Sequence, residues 1–291
     1  MIRLVLYLLA LCACFARPLF KLGDYSLHSE FFSYILLIPV ISVYLIWLKR
    51  PLLPKQAGTS WRWGLAAALG GFALLAGCKW SVHSGWTPQT EDYLTLMIAS
   101  FLLFVVAGCF IFLGSAFMRV IAFPIAFLVF MIPMPSALLD WTEMFFQQTS
   151  AVAAHGFLAV AGMQVVRNDL LLRLPGDFAL LVAPECSGIH STMVLLITAL
   201  LAGYLFLHSG WKRALLVVLV VPLAILRNGF RIAVVAELCV RISHDMINSP
   251  IHRRGGPIFF ALSLIPFFAI LLLLRKSELG RLKNVSSTEK V

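Results

Sequence analysis

Charged residues are scarce in this chain, since Asp, Glu, Lys and Arg make up only 12% of its 291 residues while 61% are hydrophobic. Soluble domains carry about 25% charged and about 45–50% apolar residues. The composition, with a mean hydropathy of +0.94, therefore excludes a soluble globular protein and predicts a polytopic membrane protein. Negatively charged residues are fewer than positively charged ones, with 13 Asp and Glu against 23 Lys and Arg. Basic loops beside anionic lipid headgroups explain the net charge of +10 without any nucleic-acid binding.

Signatures of several other enzyme classes are missing as well. Neither G-x-S-x-G nor H-E-x-x-H occurs, which argues against a rhomboid-like protease and against a metalloprotease. No internal repeat is evident. The cysteines show no C-x-x-C spacing and most lie in apolar runs, so we expect no zinc or other metal site, no disulfide framework and no cofactor. The chain has six of them: Cys12, Cys14, Cys78, Cys109, Cys186 and Cys239.

The apolar runs predict an all-α membrane protein with about eight transmembrane helices. We expect them at about 1–16, 31–48, 63–80, 93–113, 120–139, 187–207, 214–235 and 258–274. The first run is expected to stay as a span and not to be removed as a signal peptide, because another apolar run follows after the mixed-charge loop 17–30. Residues 1–275 then form one integral-membrane domain, and residues 276–291 form a basic cytoplasmic tail.

Three basic segments set the expected orientation. Residues 49–62, 208–213 and 275–290 are rich in Lys and Arg, and the positive-inside tendency places them all in the cytoplasm. This arrangement requires that residues 140–162, where polar side chains interrupt the apolar ones, do not cross the membrane. Residues 164–184 contain short β-like runs separated by turn residues, so they predict a small hairpin-like insert on the extracytoplasmic side.

A cysteine follows this insert, in the sequence Pro-Glu-Cys-Ser-Gly. We expect an apolar helix to begin near Ser187, with Cys186 at its N-cap or in its first turn, where unpaired N–H groups stabilise a thiolate. His190 would share a helix face with Cys186 at i+4 and could serve as its base. Glu185 would raise the pKa of the thiol unless an arginine pairs with it. The alternative is a buried cysteine with a structural role only.

Charged and polar residues also interrupt the seventh expected span. Arg227 and Arg231 lie at i and i+4, with Asn228 between them, and charges within a span usually face protein or water. The alternative for either arginine is that it extends to the lipid headgroups. His252 lies just before the last span, in an outer loop with His244, Asp245, Arg253 and Arg254. Topology places Cys186, Arg231 and His252 at one depth on the outer side, as nucleophile, charged donor and transition-state or proton-relay group.

At these residues the sequence resembles the exosortase/archaeosortase family of integral-membrane cysteine transpeptidases. The similar segments are Glu185-Cys186-Ser187-Gly188, Asn228-Gly229-Phe230-Arg231, and His252 ahead of the last span. Residues 24–29 and Ile132-Pro133-Met134-Pro135 are also similar to family patterns, and the resemblance covers about residues 23–275. It implies that Cys186 forms the acyl-thioester, that Arg231 is the proton donor, and that His252 stabilises the transition state.

The resemblance also implies a substrate and a location. The substrates would be secreted proteins anchored by a C-terminal sorting signal, which consists of a short Pro-Glu-Pro-like motif, a transmembrane helix and a basic tail. The enzyme would transfer them to an acceptor, with envelope polysaccharide or lipid as candidates, on the outer side of the bacterial cell (inner) membrane. The competing interpretation is a transporter or channel, which also uses intramembrane Arg and His residues. No inverted repeat and no carboxylate deep in a span supports it.

Overall fold

The structure is a computed structural model that describes residues 2–29, 31–175, 178–183, 187–243 and 255–288. The contacts divide the chain into two compact units, Met1–Leu139 and Asp140–Val291. The helices of the first unit are α1 Ile2–Cys14, α2 Ala16–His28, α3 Leu37–Leu48, α4 Trp61–His83, α5 Thr90–Phe112 and α6 Gly114–Phe127. They are followed by α7 Ser136–Val160, β1 Val166–Asn168, β2 Leu171–Leu174, β3 Phe178–Leu181, α8 Ile189–Phe206, α9 Gly210–Arg241 and α10 Gly256–Thr288.

The first unit is assembled around α5, most of whose apolar residues are buried. Ser100 on α5 donates its hydroxyl to the carbonyl of Gly71 on α4 at 2.9 Å, and Tyr7 on α1 donates to the carbonyl of Phe104 at 2.9 Å. Small residues let helices approach closely where lipid gives no hydrophobic driving force between them. Gly71 has this function, because a Cβ there would lie 3.1 Å from the Phe104 ring.

Residues 17–30, expected as a loop, are mostly helical. Within α2 the buried residues are Pro18, Leu22 and Ser26, which recur every four positions and so form one helical face. A loop was expected because charged residues lie between these buried positions. That expectation was wrong, since the buried positions follow a helical spacing.

The second unit contains a three-stranded antiparallel sheet in the order β1-β2-β3. Leu172 on β2 pairs with Leu180 on β3, and alternate residues of these strands point to one face. That face packs on α7 and α9 in a common core of Ala151, Ala154, Leu158, Leu172, Leu174, Leu180, Val182, Ile232, Ala233 and Ala236. The predicted hairpin-like insert is confirmed, with one strand more than a hairpin.

A second core joins α8, α9 and α10. Its buried residues are Leu195, Ala199, Ala202, Leu207, Leu216, Val220, Phe267 and Leu271. At the end of this core, Glu278 on α10 accepts hydrogen bonds from the backbone N–H groups of His208 and Ser209, at 3.0 and 2.8 Å. The expected boundary between membrane domain and tail, at 275/276, falls inside the continuous helix α10.

Six of the described helices are long and apolar enough to cross a membrane: α4, α5, α8 and α9, α6 with the turn that follows it, and α10 as far as Leu279. The pair α1 and α2, bent by 72°, qualifies as one further span, and Ser33–Leu48 is a shorter apolar helix. The described residues thus contain six or seven candidate spans, close to the predicted eight, and the predicted class, an all-α polytopic membrane protein, is confirmed. Helix α7 is not in this set.

Candidate active site

The helix that follows the candidate nucleophile begins at Ile189. Its N-cap is Gly188, which has φ of 69° and ψ of 15°, in the left-handed region. A left-handed residue cannot continue a right-handed helix, so α8 begins two residues later than the sequence predicts. The four-residue spacing between Cys186 and His190 is therefore not a spacing within this helix. Cys186 lies, together with Glu185, outside the described residues.

The chain is fixed on both sides of the Cys186 segment. Before it, the N–H of Val182 donates to the carbonyl of Leu170 at 2.9 Å, and the Val182 side chain is buried under the sheet. After it, Ser187 is only 1% exposed, and Gly188 is held against α9.

Gly188 packs directly on the polar residues of α9. A Cβ at this position would lie 2.9 Å from both Cγ and Oδ1 of Asn228, and 3.2 Å from Nη2 of Arg227. Glycine also adopts a positive φ without the steric cost that other residues meet. Gly188 and the Arg227–Asn228 pair, 39 residues apart between Gly188 and Arg227, are thus brought into contact by the fold.

Arg227 binds the turn that follows Cys186. Its Nη2 donates to the carbonyl of Gly188 at 3.1 Å and lies 3.4 Å from the hydroxyl of Thr192. The side chain is only 9% exposed, so the alternative that Arg227 extends to the lipid headgroups is wrong. The other amino group, Nη1, is buried and has no hydrogen-bond partner in the described part of the chain.

Asn228 connects this site to α7. Its side-chain amide donates from Nδ2 to the hydroxyl of Ser150 at 3.0 Å, and both residues are buried. At the next residue, Gly229, a Cβ would lie 2.5 Å from the Cβ of Ala153, so α7 and α9 approach closely here. We did not predict a role for Ser150. One sequence feature could have indicated that Ser150 faces the interior of the protein. It is the helical spacing of the buried residues Gln147, Ser150, Ala154 and Leu158.

The structure gives less information on the remaining predicted site residues. Arg231, one turn beyond Arg227 on α9, is partly buried and has an interaction partner, and the same is true of His190 in the first turn of α8. His252 and its loop neighbours fall within residues 244–254, outside the described part of the chain. The structure therefore brings Arg227 and Asn228 to the Gly188 turn, whereas the positions of Cys186, Glu185 and His252 remain predictions.

The length of α9 gives the depth of its arginines. With a rise of about 1.5 Å per residue, Arg227 lies about 25 Å and Arg231 about 31 Å along the helix from Gly210. The hydrocarbon core of a bilayer is about 30 Å thick. If Gly210 lies at the cytoplasmic boundary, as the basic segments predict, Arg227 is just inside the outer boundary and Arg231 is at it.

In the first unit, the two other family-like segments meet at the beginning of α5. Tyr25 donates its hydroxyl to Glu91 at 2.6 Å, and Thr95 donates to the carbonyl of Pro133 at 2.8 Å. Asp92 accepts bonds from the N–H and the hydroxyl of Ser136, at 2.8 and 2.9 Å, where α7 begins. These acidic residues were not predicted from the sequence. The contacts of Glu91 and Thr95, one turn apart on α5, bring residues 24–29 and 132–135 into one structural cluster.

Within the described residues, no group of three or more His, Cys, Asp or Glu side chains is arranged to hold a metal ion. A family model described as "Transmembrane exosortase (Exosortase_EpsH)" matches residues 26–269. Comparison with the curated proteins and with the solved structures gave no match. The matched residues include the Cys-Ser-Gly turn, the Arg-Asn-Gly segment of α9 that binds it, and the whole of α5. The chain is therefore a member of the transmembrane exosortase family.

Proposed function

We propose that this protein is a membrane-embedded cysteine transpeptidase. It cleaves the C-terminal sorting signal of secreted proteins, which comprises a short Pro-Glu-Pro-like motif, a transmembrane helix and a basic tail. The observation that carries the proposal is the contact between Gly188 and the Arg227–Asn228 pair, since it joins the segment after the cysteine to the polar segment of α9. A transporter would not require a glycine turn of fixed conformation two residues after a cysteine.

The reaction has two steps. The Cys186 thiolate adds to a backbone carbonyl carbon near the motif, the C–S bond forms and the C–N bond breaks. The leaving amine takes up one proton and departs with the helix and basic tail, which leaves an acyl-thioester. An acceptor nucleophile then attacks the thioester, loses its proton, and releases the Cys186 sulfur as the thiolate or thiol.

Three residues carry these steps in the proposal. Cys186 is the nucleophile, Arg231 is the proton donor to the leaving amine or the charged group that stabilises it, and His252 stabilises the transition state. A permanent cation close to the sulfur also favours the thiolate. The reaction takes place on the extracytoplasmic side of the cell (inner) membrane, and the acceptor is an envelope polysaccharide or lipid.

A substrate-processing experiment tests the nucleophile. The full-length protein is expressed with a reporter that ends in a Pro-Glu-Pro-like motif, an apolar helix and a basic tail, and loss of the tail is followed by size. Cys186→Ala should abolish cleavage while the protein remains inserted at wild-type levels. Cys78→Ala, Cys109→Ala and Cys239→Ala are matched controls, because these thiols are buried inside helices, and they should keep activity. Continued cleavage by Cys186→Ala would rule out the thioester mechanism.

A further inference from the structure

A cavity of about 560 Å³ lies where α4 and α6 begin. Ligand-binding cavities in proteins usually have volumes of about 300–1,000 Å³, so this one is large enough for a small molecule or a lipid headgroup. Apart from one alanine, every lining residue carries a hydroxyl, an indole or a guanidinium group; they are Thr59, Ser60, Trp61, Arg62, Trp63 and Ser115. All of these residues belong to the continuously described stretch 31–175.

Hydrogen bonds hold the walls of this cavity together. Before α4, the N–H groups of Gly58 and Ser60 donate to the carbonyls of Leu113 and Phe110 at the end of α5, at 3.1 and 3.0 Å. The hydroxyl oxygen of Ser60 accepts a bond from the backbone N–H of Ser115, the second residue of α6, at 2.9 Å. The cavity is therefore a fixed feature of the fold, built where three helix ends meet.

The positive charge of Arg62 is not balanced within the first unit. Arg62 forms no ion pair with any described residue. The unit has four acidic residues, Asp24, Glu30, Glu91 and Asp92. Glu91 and Asp92 are in the first turn of α5, about 30 Å along that helix from the end that borders the cavity. Tyr25 donates to Glu91, and the other two acidic residues are at most five residues from Tyr25, a reach of about 18 Å. Arg62 is therefore available to an anion from outside this unit.

A second arginine lies one turn beyond the cavity wall. Arg119 is exposed and follows Ser115 at i+4 on α6, so the two residues share a helix face. Side chains on an α-helix tilt towards its N-terminus, which directs Arg119 towards the Ser115 end. The cavity thus has one cation in its lining and another beside it.

An exposed apolar stripe on α4 continues from the cavity into the membrane. Trp61 is followed at 4, 8 and 11 positions by Leu65, Leu69 and Phe72, a spacing that keeps all four on one helix face. Each of the four side chains is at least 47% exposed. The stripe is about 16 Å long, and half of a bilayer core of about 30 Å is about 15 Å. Its length therefore matches the depth of one leaflet.

We propose that this cavity binds the phosphate of an anionic phospholipid from the cytoplasmic leaflet. The planar guanidinium of Arg62 donates two parallel hydrogen bonds to phosphate oxygens, and the hydroxyls of Thr59 and Ser115 donate to the remaining oxygens. One acyl chain lies along the apolar stripe of α4. The exposed indoles of Trp61 and Trp63 lie at the level of the headgroups, where tryptophan is enriched in membrane proteins.

Two other cytoplasmic ligands fit these features less well. The basic tail proposed for the substrates has the same sign of charge as Arg62 and is repelled by it. A soluble anion such as inorganic phosphate would use the cavity but not the apolar stripe. A phospholipid contacts both, because it carries a phosphate and long hydrocarbon chains in one molecule. The choice of leaflet follows from the predicted orientation, in which the basic segment 49–62 is cytoplasmic.

The test measures lipid binding to the purified full-length protein in a neutral detergent by native mass spectrometry. Phosphatidylglycerol and phosphatidylcholine with identical acyl chains are compared, and we expect wild type to bind the anionic lipid more tightly. Arg62→Gln should weaken phosphatidylglycerol binding about tenfold or more, as for the loss of a charged hydrogen-bond donor, and should remove the preference between the lipids. Arg50→Gln is the matched control. Arg50 belongs to the same basic segment but lies outside the lining, with its Cζ 5.0 Å from the centre of the Trp47 ring, so its loss should leave the affinity unchanged.

A second variant tests the cavity without removing a charge. Ser115→Ala deletes a lining hydroxyl but keeps the backbone N–H that binds Ser60, and it should weaken phosphatidylglycerol binding by a smaller factor than Arg62→Gln. This variant also decides the matter if Arg62→Gln is not recovered in folded form.

Three results would overturn the inference. Equal losses in Arg62→Gln and Arg50→Gln would show that the basic segment attracts anionic lipid without a specific site. Displacement of phosphatidylglycerol by millimolar inorganic phosphate would identify a site for a soluble anion. Unchanged lipid affinity in Arg62→Gln, or in Ser115→Ala where that variant stands in for it, would show that the lipid does not occupy the cavity.

Discussion

Gly188 occupies the most restricted backbone position near the candidate nucleophile. Its φ of 69° would cost a residue with a Cβ about 1–2 kcal/mol. The Cβ would also meet Asn228 at 2.9 Å, a contact too short to tolerate without movement of α8 or α9. A glycine is thus needed at position 188 for the turn to pack against α9.

Two histidines compete for the role of transition-state group. His252 precedes the last span at the predicted depth of Cys186, whereas His190 lies in the first turn of α8, two residues after Gly188. We predict that His252→Ala leaves the reporter bound but uncleaved, because the sequence predicts that His252 meets the reacting centre and not the helix or tail of the substrate. Co-purification of the uncleaved reporter with the enzyme measures this outcome.

His190→Ala is the control for that prediction. It should retain cleavage, since α8 begins at Ile189 and the i+4 helical spacing expected between Cys186 and His190 therefore does not apply. An inactive His190→Ala beside an active His252→Ala would assign the base to His190 and remove His252 from the site.

Among the elements, α9 carries most of the described site. Its 32 residues are more than a bilayer core requires, and its two halves have different surroundings. The first half packs with α8 and α10 around Leu216 and Val220. The second half packs with α7 and the sheet through Ile232, Ala233 and Ala236. One continuous helix thus connects the core shared with α8 and α10 to the core under the sheet that precedes Cys186.

The beginning of α9 depends on a carboxylate from α10. Glu278 accepts bonds from the N–H groups of His208 and Ser209, and Ser209 is the N-cap of α9. We predict that Glu278→Ala destabilises the protein by about 1–3 kcal/mol, because two backbone N–H groups lose a buried, charged acceptor. Thermal unfolding of the purified protein in detergent measures the loss, and the cleavage rate per folded molecule should stay unchanged.

Glu237→Ala provides a matched control on α9 itself. Glu237 forms an i,i+4 ion pair with Arg241, whose side chain is 71% exposed, and exposed pairs contribute at most about 1 kcal/mol. Equal losses of stability in the two variants, or full stability of Glu278→Ala, would contradict the role given to Glu278.

At the scale of the whole molecule, the question is which side of the membrane each loop faces. The three basic segments predict one orientation, with both termini and the 208–213 turn inside and the sheet outside. We predict that reporter fusions after Gly210 and at the C-terminus report a cytoplasmic location, and that a fusion near Asp169 reports an extracytoplasmic one. A C-terminal fusion on the outer side would mean that α7 crosses.

The sequence by itself determined the class of this protein and the chemistry available to it. Long apolar runs fix membrane insertion because each backbone polar group inside a bilayer must be bonded within a helix. Turn residues between β-rich runs were enough to predict the insert at residues 164–184, and the Cys-Ser-Gly and Asn-Gly-Phe-Arg segments were enough to indicate the family. These features are local, so neighbouring residues along the chain specify them.

The tertiary structure alone decided what the polar residues contact. Arg227 is a buried ligand of the Gly188 carbonyl and not a headgroup anchor, and Ser150 is a partner of Asn228. Helix α8 also begins at Ile189 and not near Ser187 as predicted, because Gly188 takes its backbone conformation from its packing on α9. In each case the partner is 39 or more residues away in sequence. An arginine in an apolar helix is equally compatible with lipid headgroups and with protein acceptors until folding brings one of them within hydrogen-bond distance.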